Sequence, residues 1–152
     1  MVPVSEKSIA VDTWEALFRA QVTVLRLLNA ELPDELSLNE YDVLFNLSRQ
    51  EDHRLRLRDL NRHLFLTQPS VSRLVDRLVE RGLVTKESDP GDGRGTIVCM
   101  TAAGAEAFRR VAVVHAESIR RHVGGALTTE EMRQLAKLTD KLRLNVTGGT
   151  PQ

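Results

Sequence analysis

The sequence predicts a mainly α fold with one small β-hairpin, on three observations. Aromatic residues make up only 4% of a chain whose hydrophobic fraction is 41%. The core must then be assembled from Leu, Val and Ala, a composition that favours helices. Apolar residues also recur at three- and four-residue steps through most of the chain, the period of amphipathic helices. Only between Leu83 and Thr101 do two short runs rich in Val, Ile and Thr appear, "LVTKE" and "TIVCMT", joined by the glycine-rich stretch D-P-G-D-G-R-G.

Each element can be justified in turn. The first helix reads "DTWEALFRAQVTVLRLLNAEL", with Trp14, Leu17, Phe18, Val22, Leu25 and Leu28 at helical spacing. Asp12 and Glu15 have the spacing of a capping box, which predicts the helix start, and "PDE" ends it. At about 1.5 Å per residue it spans ~30 Å, long for packing inside so small a domain. A second helix opens at Ser37, with Glu40 completing another box, in "SLNEYDVLFNLSR". "RLRL" is short enough for one strand, and "RDLNRHLF" follows as a third helix with no Ser, Thr or Asp to cap it.

"LTQPSVSRLVDRLVERG" is the most legible helix: Thr67 can cap it, Pro69 suits its first turn, and Gly82 ends it. Val71, Leu74, Val75, Leu78 and Val79 fall on one side; Ser70, Arg73 and Arg77 form a stripe on the other. After the hairpin, Thr101 can cap "AAGAEAFRRVAVVHAESIRRHV", which "GG" ends. Thr128 and Glu131 make a third box, and Met132, Leu135, Leu138 and Leu142 stripe the last helix.

The chain has 152 residues, with 21 Lys and Arg balanced by 21 Asp and Glu. A zero sum argues against nucleic acid as a partner, but distribution matters more. Residues 54–94 hold nine cations, eight of them arginine, against six anions, so this segment is +3 and the remainder −3. Arginine suits bidentate contact with phosphates and guanine. The single cysteine, Cys99, precludes an intramolecular disulfide framework and fits a reducing compartment. Without an apolar leader or membrane-length run, the expected location is the cytoplasm, with no membrane association. No Ser/His/Asp arrangement or paired inward carboxylate stands at a legible spacing, so an enzyme is not expected.

Helix, turn, capped helix with a cationic stripe, then a hairpin: this order is a winged helix-turn-helix. The helix after the turn lies in a major groove. The hairpin tip reaches the flanking minor groove, only ~6 Å wide. Gly91, Gly93 and Gly95 keep such a tip thin, and Arg94 supplies the cation that a narrow groove attracts, with Asp89 or Asp92 bracing it. A phosphate cradle is excluded, because the loop joins strand to strand and no Gly-Lys-Ser/Thr follows. Asp76 and Glu80 are spaced to pair with Arg73 and Arg77 and mute them.

From Ser37 to Gly104 the chain resembles the multiple-antibiotic-resistance regulator (MarR) family of prokaryotic transcription factors. The matching strings are "LNEYDVLFNL", "QPSVSRLVDRLVERGLV" and "DPGDGRGTIVCMTAAG", the last with Asp89, Asp92 and Arg94 at the family's wing spacing. The chain departs at Asn61, where the family keeps a small alanine, and in the uncapped third helix.

The resemblance implies a homodimer, with residues 1–36 as N-terminal dimerisation helix, 37–100 as DNA-binding lobe, 101–147 as C-terminal dimerisation helices and 148–152 as a frayed tail. It implies double-stranded DNA as partner, read as an inverted repeat with half-sites about 34 Å apart. Gln68, Ser70, Ser72, Arg73 and Arg77 would face the major groove, and Arg94, supported by Asp92, the minor groove. Arg54, Arg56 and Arg58 are candidate phosphate contacts. The family generally takes a small phenolic or anionic effector in a cleft, here from the elements carrying Trp14, Tyr41 and His115, and most often represses. No cofactor is implied, and His115 and His122, seven apart, do not make the i, i+4 metal chelate. The competing reading is a winged-helix module for protein–protein contact without specific DNA binding, which the zero net charge favours.

Overall fold

The computed structural model describes residues 5–64 and 68–148. The order is α1 (Glu6–Glu31), α2 (Leu38–Ser48), β1 (Arg54–Arg56), α3 (Leu57–His63), α4 (Gln68–Glu80), β2 (Val84–Asp89), β3 (Asp92–Met100), α5 (Ala102–Ile119), a π-helical turn (Arg120–Gly124) and α6 (Thr129–Val146). This is the winged helix-turn-helix order that the sequence predicts.

Leu25–His115 form one compact unit, and the residues before and after form a second. The first unit has a single apolar core: Val43, Leu44 and Leu47 of α2, Leu60 of α3, Val71, Leu74, Val75 and Leu78 of α4, Val84 and Val98 of the sheet, and Ala107 and Val111 of α5. In the second unit, large apolar side chains stay exposed along α1 (Ile9, Val11, Trp14, Phe18) and α6 (Leu135, Leu138, Leu142, Val146).

Two of the three capping boxes form. Ser37 Oγ accepts from the Glu40 amide at 3.2 Å, and the Glu40 carboxylate accepts from the Ser37 amide at 2.9 Å. Thr128 and Glu131 repeat this at 3.3 and 2.8 Å. The Asp12–Glu15 box does not: α1 begins at Glu6, and Ser5 Oγ accepts from the Ser8 amide at 3.2 Å. Nothing in the residues just before Asp12 stops a helix, so propagation runs back past Ser8 to Ser5, whose hydroxyl caps it.

Leu57, expected at the end of a strand, opens α3, whose N-cap Arg56 makes no side-chain capping bond. Thr67, the expected cap of α4, and Phe65 lie outside the described residues. Gly82 leaves α4 with φ +71°, a left-handed exit that favours glycine. Just before it, Arg81 donates to the Glu35 carbonyl at 2.6 Å and the Glu40 carboxylate at 3.0 Å, while Arg110 of α5 holds the Glu35 carboxylate at 2.6 Å. The expected single helix from Ala102 to Val123 instead changes to π geometry at Arg120. A Cβ on Gly125 would sit 2.3 Å from the Arg121 carbonyl, so glycine is what lets the chain close so tightly there.

The sheet has three antiparallel strands in the order β1-β3-β2. The glycine-rich stretch is not a seven-residue loop: Asp89 pairs with Asp92, leaving Pro90 and Gly91 as the turn, while Gly93, Arg94 and Gly95 lie within β3.

Candidate nucleic-acid interface

Helix α4 is amphipathic. Val71, Leu74, Val75 and Leu78 are at most 1% exposed, whereas Arg73 and Arg77 are exposed and Ser70 and Ser72 half-buried. Gln68 opens the helix; its side chain lies outside the described residues. The muting that the charge spacing allowed does not occur. Asp76 pairs with Lys86 of β2, and among the described residues neither Arg73 nor Arg77 is in an ion pair. Arg73 Nε donates to the Pro69 carbonyl at 3.3 Å, which leaves its terminal nitrogens outward. Asn39, Ser70, Arg73, Leu74 and Arg77 border an open recess of about 340 Å³. Asn39 escaped the sequence reading; its only signal is a polar residue just after a helix N-cap.

On the wing, the Asp92 carboxylate accepts from the Arg94 amide at 3.1 Å, so the aspartate braces the backbone under an exposed guanidinium. Asp89 does something else. It is 4% exposed, accepts from Arg56 Nε at 2.7 Å, and accepts from the Gly91 amide at 2.9 Å. Of the three candidate phosphate contacts, Arg54 is paired with Glu87 at 2.6 Å and Arg56 with Asp89. Arg58 is exposed on α3 and has no ion pair among the described residues.

Tyr41 and His115 come together, ring centroids 4.8 Å apart, in a cluster with Phe108 (5.2 Å from Tyr41) and Phe45 (6.4 Å). Trp14 is in the other unit, where it stacks on Phe18 at 5.7 Å. Burial pushes the Tyr41 hydroxyl up and the neighbouring Asp42 carboxyl up, the latter opposed by the Asn46 amide and His63. Burial also pushes the Cys99 thiol up, which keeps it protonated, as expected of an inert cysteine.

Burial lowers the His115 pKa, and its Nδ1 is buried without a hydrogen-bond partner among the described residues. The folded state therefore disfavours the charged imidazole, and the unfolded chain takes up the proton first as pH falls. Stability from this group is present above the ordinary histidine value of about 6.5 and is lost as pH falls from there through the lowered folded-state value. His115→Phe should keep the ring packing and remove the orphan nitrogen. Urea midpoints for this variant are expected to fall less than wild type between pH 7.5 and 5.5 (about a unit either side of that value). Parallel pH profiles would refute the assignment.

The sequence model of the MarR family matches residues 34–95. AbsC, a MarR family transcriptional regulator from Streptomyces coelicolor, is 31% identical, with a TM-score of 0.76 over 90% of this chain and 96% of that one. Sco3205, a MarR family transcriptional regulator from the same organism, solved in complex with DNA, is 26% identical, with a TM-score of 0.79 over 98% and 92%. BpsR of Bordetella bronchiseptica, solved to explain regulation of its DNA binding by 6-hydroxynicotinic acid, is 26% identical, with a TM-score of 0.76 over 87% and 98%.

Proposed function

This chain belongs to the MarR family, and from that premise we propose that it is a dimeric, effector-responsive repressor that binds an inverted-repeat operator in double-stranded DNA. The observation behind this reading is the outer face of α4: two exposed arginines without ion pairs among the described residues, beside a polar recess, on a helix whose other face is buried. Gln68, Ser70, Ser72, Arg73 and Arg77 read the major groove, and Arg94, braced by Asp92, enters the minor groove. A second copy of the chain covers the exposed apolar stripes of α1 and α6; burying one Leu, Ile or Phe stabilises by about 1.5–3 kcal/mol. A small aromatic or anionic effector contacts Tyr41 and His115 and shifts the population between DNA-competent and incompetent forms. The protein works in the cytoplasm of a prokaryote.

The test is a binding selection from random duplex DNA at about 0.15 M salt. A two-fold symmetric motif with half-sites one turn apart supports the reading; no shared motif turns it toward protein–protein contact. On the recovered motif, Arg94→Ala should weaken binding roughly tenfold, about 1.4 kcal/mol, and relax preference for A·T flanks, since the minor groove distinguishes mainly A·T from G·C. Unchanged affinity would sink the wing's role.

A further inference from the structure

We propose that Arg56 is a positioning residue for the wing: by pairing with Asp89 it fixes the hairpin turn that presents Arg94 to DNA. The proposal rests on the DNA-binding reading above. Arg56 lies on β1 and Asp89 on β2, with β3 between them, so their bond crosses the whole sheet. Its far end is at the turn. The Asp89 carboxylate also accepts from the Gly91 amide, Asp89 itself pairs with Asp92, and the register is irregular between Ser88 and Asp89. A Cβ on Gly95 would lie 3.0 Å from Asp89 Cβ and 3.2 Å from the Asp92 carbonyl, so the Asp89 side chain sits directly on the residue after Arg94. Arg94 is thereby held on both sides, its own amide by Asp92 and the next residue by Asp89.

The local sequence also bears a cost for this pair. Arg56 is the N-cap of α3, a position where Ser, Thr, Asn or Asp would make a capping bond, and Arg56 makes none. Arg54 and Glu87 form a similar crossing nearer the base, but there the carboxylate side chain is 49% exposed, against 4% for Asp89. A buried carboxylate left without its cation is the costlier loss. Arg56 is therefore the tie that matters for the tip.

The test compares Arg56→Ala, Arg56→Lys, Asp89→Asn, Arg94→Ala and the double variant R56A/R94A, with affinity for the selected duplex and amide exchange in the free protein as readouts. R56A and D89N should each weaken binding by roughly tenfold, R56K should recover most of the loss, and R56A/R94A should bind no worse than R94A. The Gly91 amide should exchange faster in R56A than in wild type. If Arg56 is instead a phosphate contact, D89N tightens binding and R56A adds to R94A; either result overturns the proposal. Should wild type retain no DNA, the functional reading falls by itself. Gly91 exchange then decides the clamp, and an unchanged rate overturns it. Should R56A not fold, D89N provides the same opposed predictions.

Discussion

Gly104→Ala is expected to destabilise the protein by about 3 kcal/mol or more, the upper range for forcing atoms into a packed site. The new Cβ would lie 2.0 Å from the Leu83 carbonyl oxygen and 3.1 Å from Met100 Cγ. A flexible side chain can swing away; a backbone carbonyl cannot, and this one already accepts the Thr101 amide at 3.1 Å. Thr101 Oγ1 adds a donation to the Gly82 carbonyl at 2.7 Å and accepts the Gly104 amide at 3.0 Å. The exit of α4 and the entry of α5 are thus laced through four residues, and relieving the clash means unlacing them. For a chain of this size the loss corresponds to a melting temperature lower by about 6–12 °C. Melting should be compared at matched protein concentration, because self-association shifts it. Gly93→Ala is the internal control: nothing lies within 4 Å of its Cβ and its φ is not in the left-handed range. A Gly104→Ala melting temperature equal to that of Gly93→Ala would refute the packing argument.

The largest functional loss is expected at Arg73. A well-formed bidentate base contact is worth ~1–3 kcal/mol, and a symmetric operator would engage Arg73 twice. Arg73→Ala should then weaken operator binding roughly 30-fold or more, with discrimination lost at one base pair per half-site. The geometry favours a base contact: Arg73 is exposed, lies in the first half of α4, and its Nε is already anchored to the Pro69 carbonyl. If all sequences weaken equally and the salt dependence falls by about one unit per contact, Arg73 meets only phosphate. If affinity does not change, α4 is not the reading surface.

The elements that local chemistry decides were the legible ones. The α4 pattern was readable because its buried and exposed residues separate cleanly at the helical period. Ser37 and Thr128 cap as their spacing suggests because a proline-bearing turn and a glycine pair precede them. Asp12 has the same spacing, but helix-permissive residues before it, and spacing alone does not stop a helix. The wing turn is shorter than its glycines suggest because Asp89 pairs with Asp92 across Pro90 and Gly91, and the register shift leaves Gly93, Arg94 and Gly95 between the partners of Asp89 and Ser88. The sequence offers Arg56 only as a candidate phosphate contact, because nothing local links it to Asp89, 33 positions on; the sheet brings that pair together. Tyr41 and His115 meet for a similar reason, through the packing of α2 and α5 residues in one core.

Arg81 sets the mechanical character of the lobe. One guanidinium at the end of α4 grips both the carbonyl before α2 and the carboxylate that caps it. Glu40, which it grips, is followed immediately by Tyr41, the centre of the aromatic cluster. The end of α4 and the start of α2 are therefore tied at one point, through a single guanidinium. On the proposed function, a molecule that displaces Tyr41 would push on that tie from α2, and α4 would carry the push to the DNA.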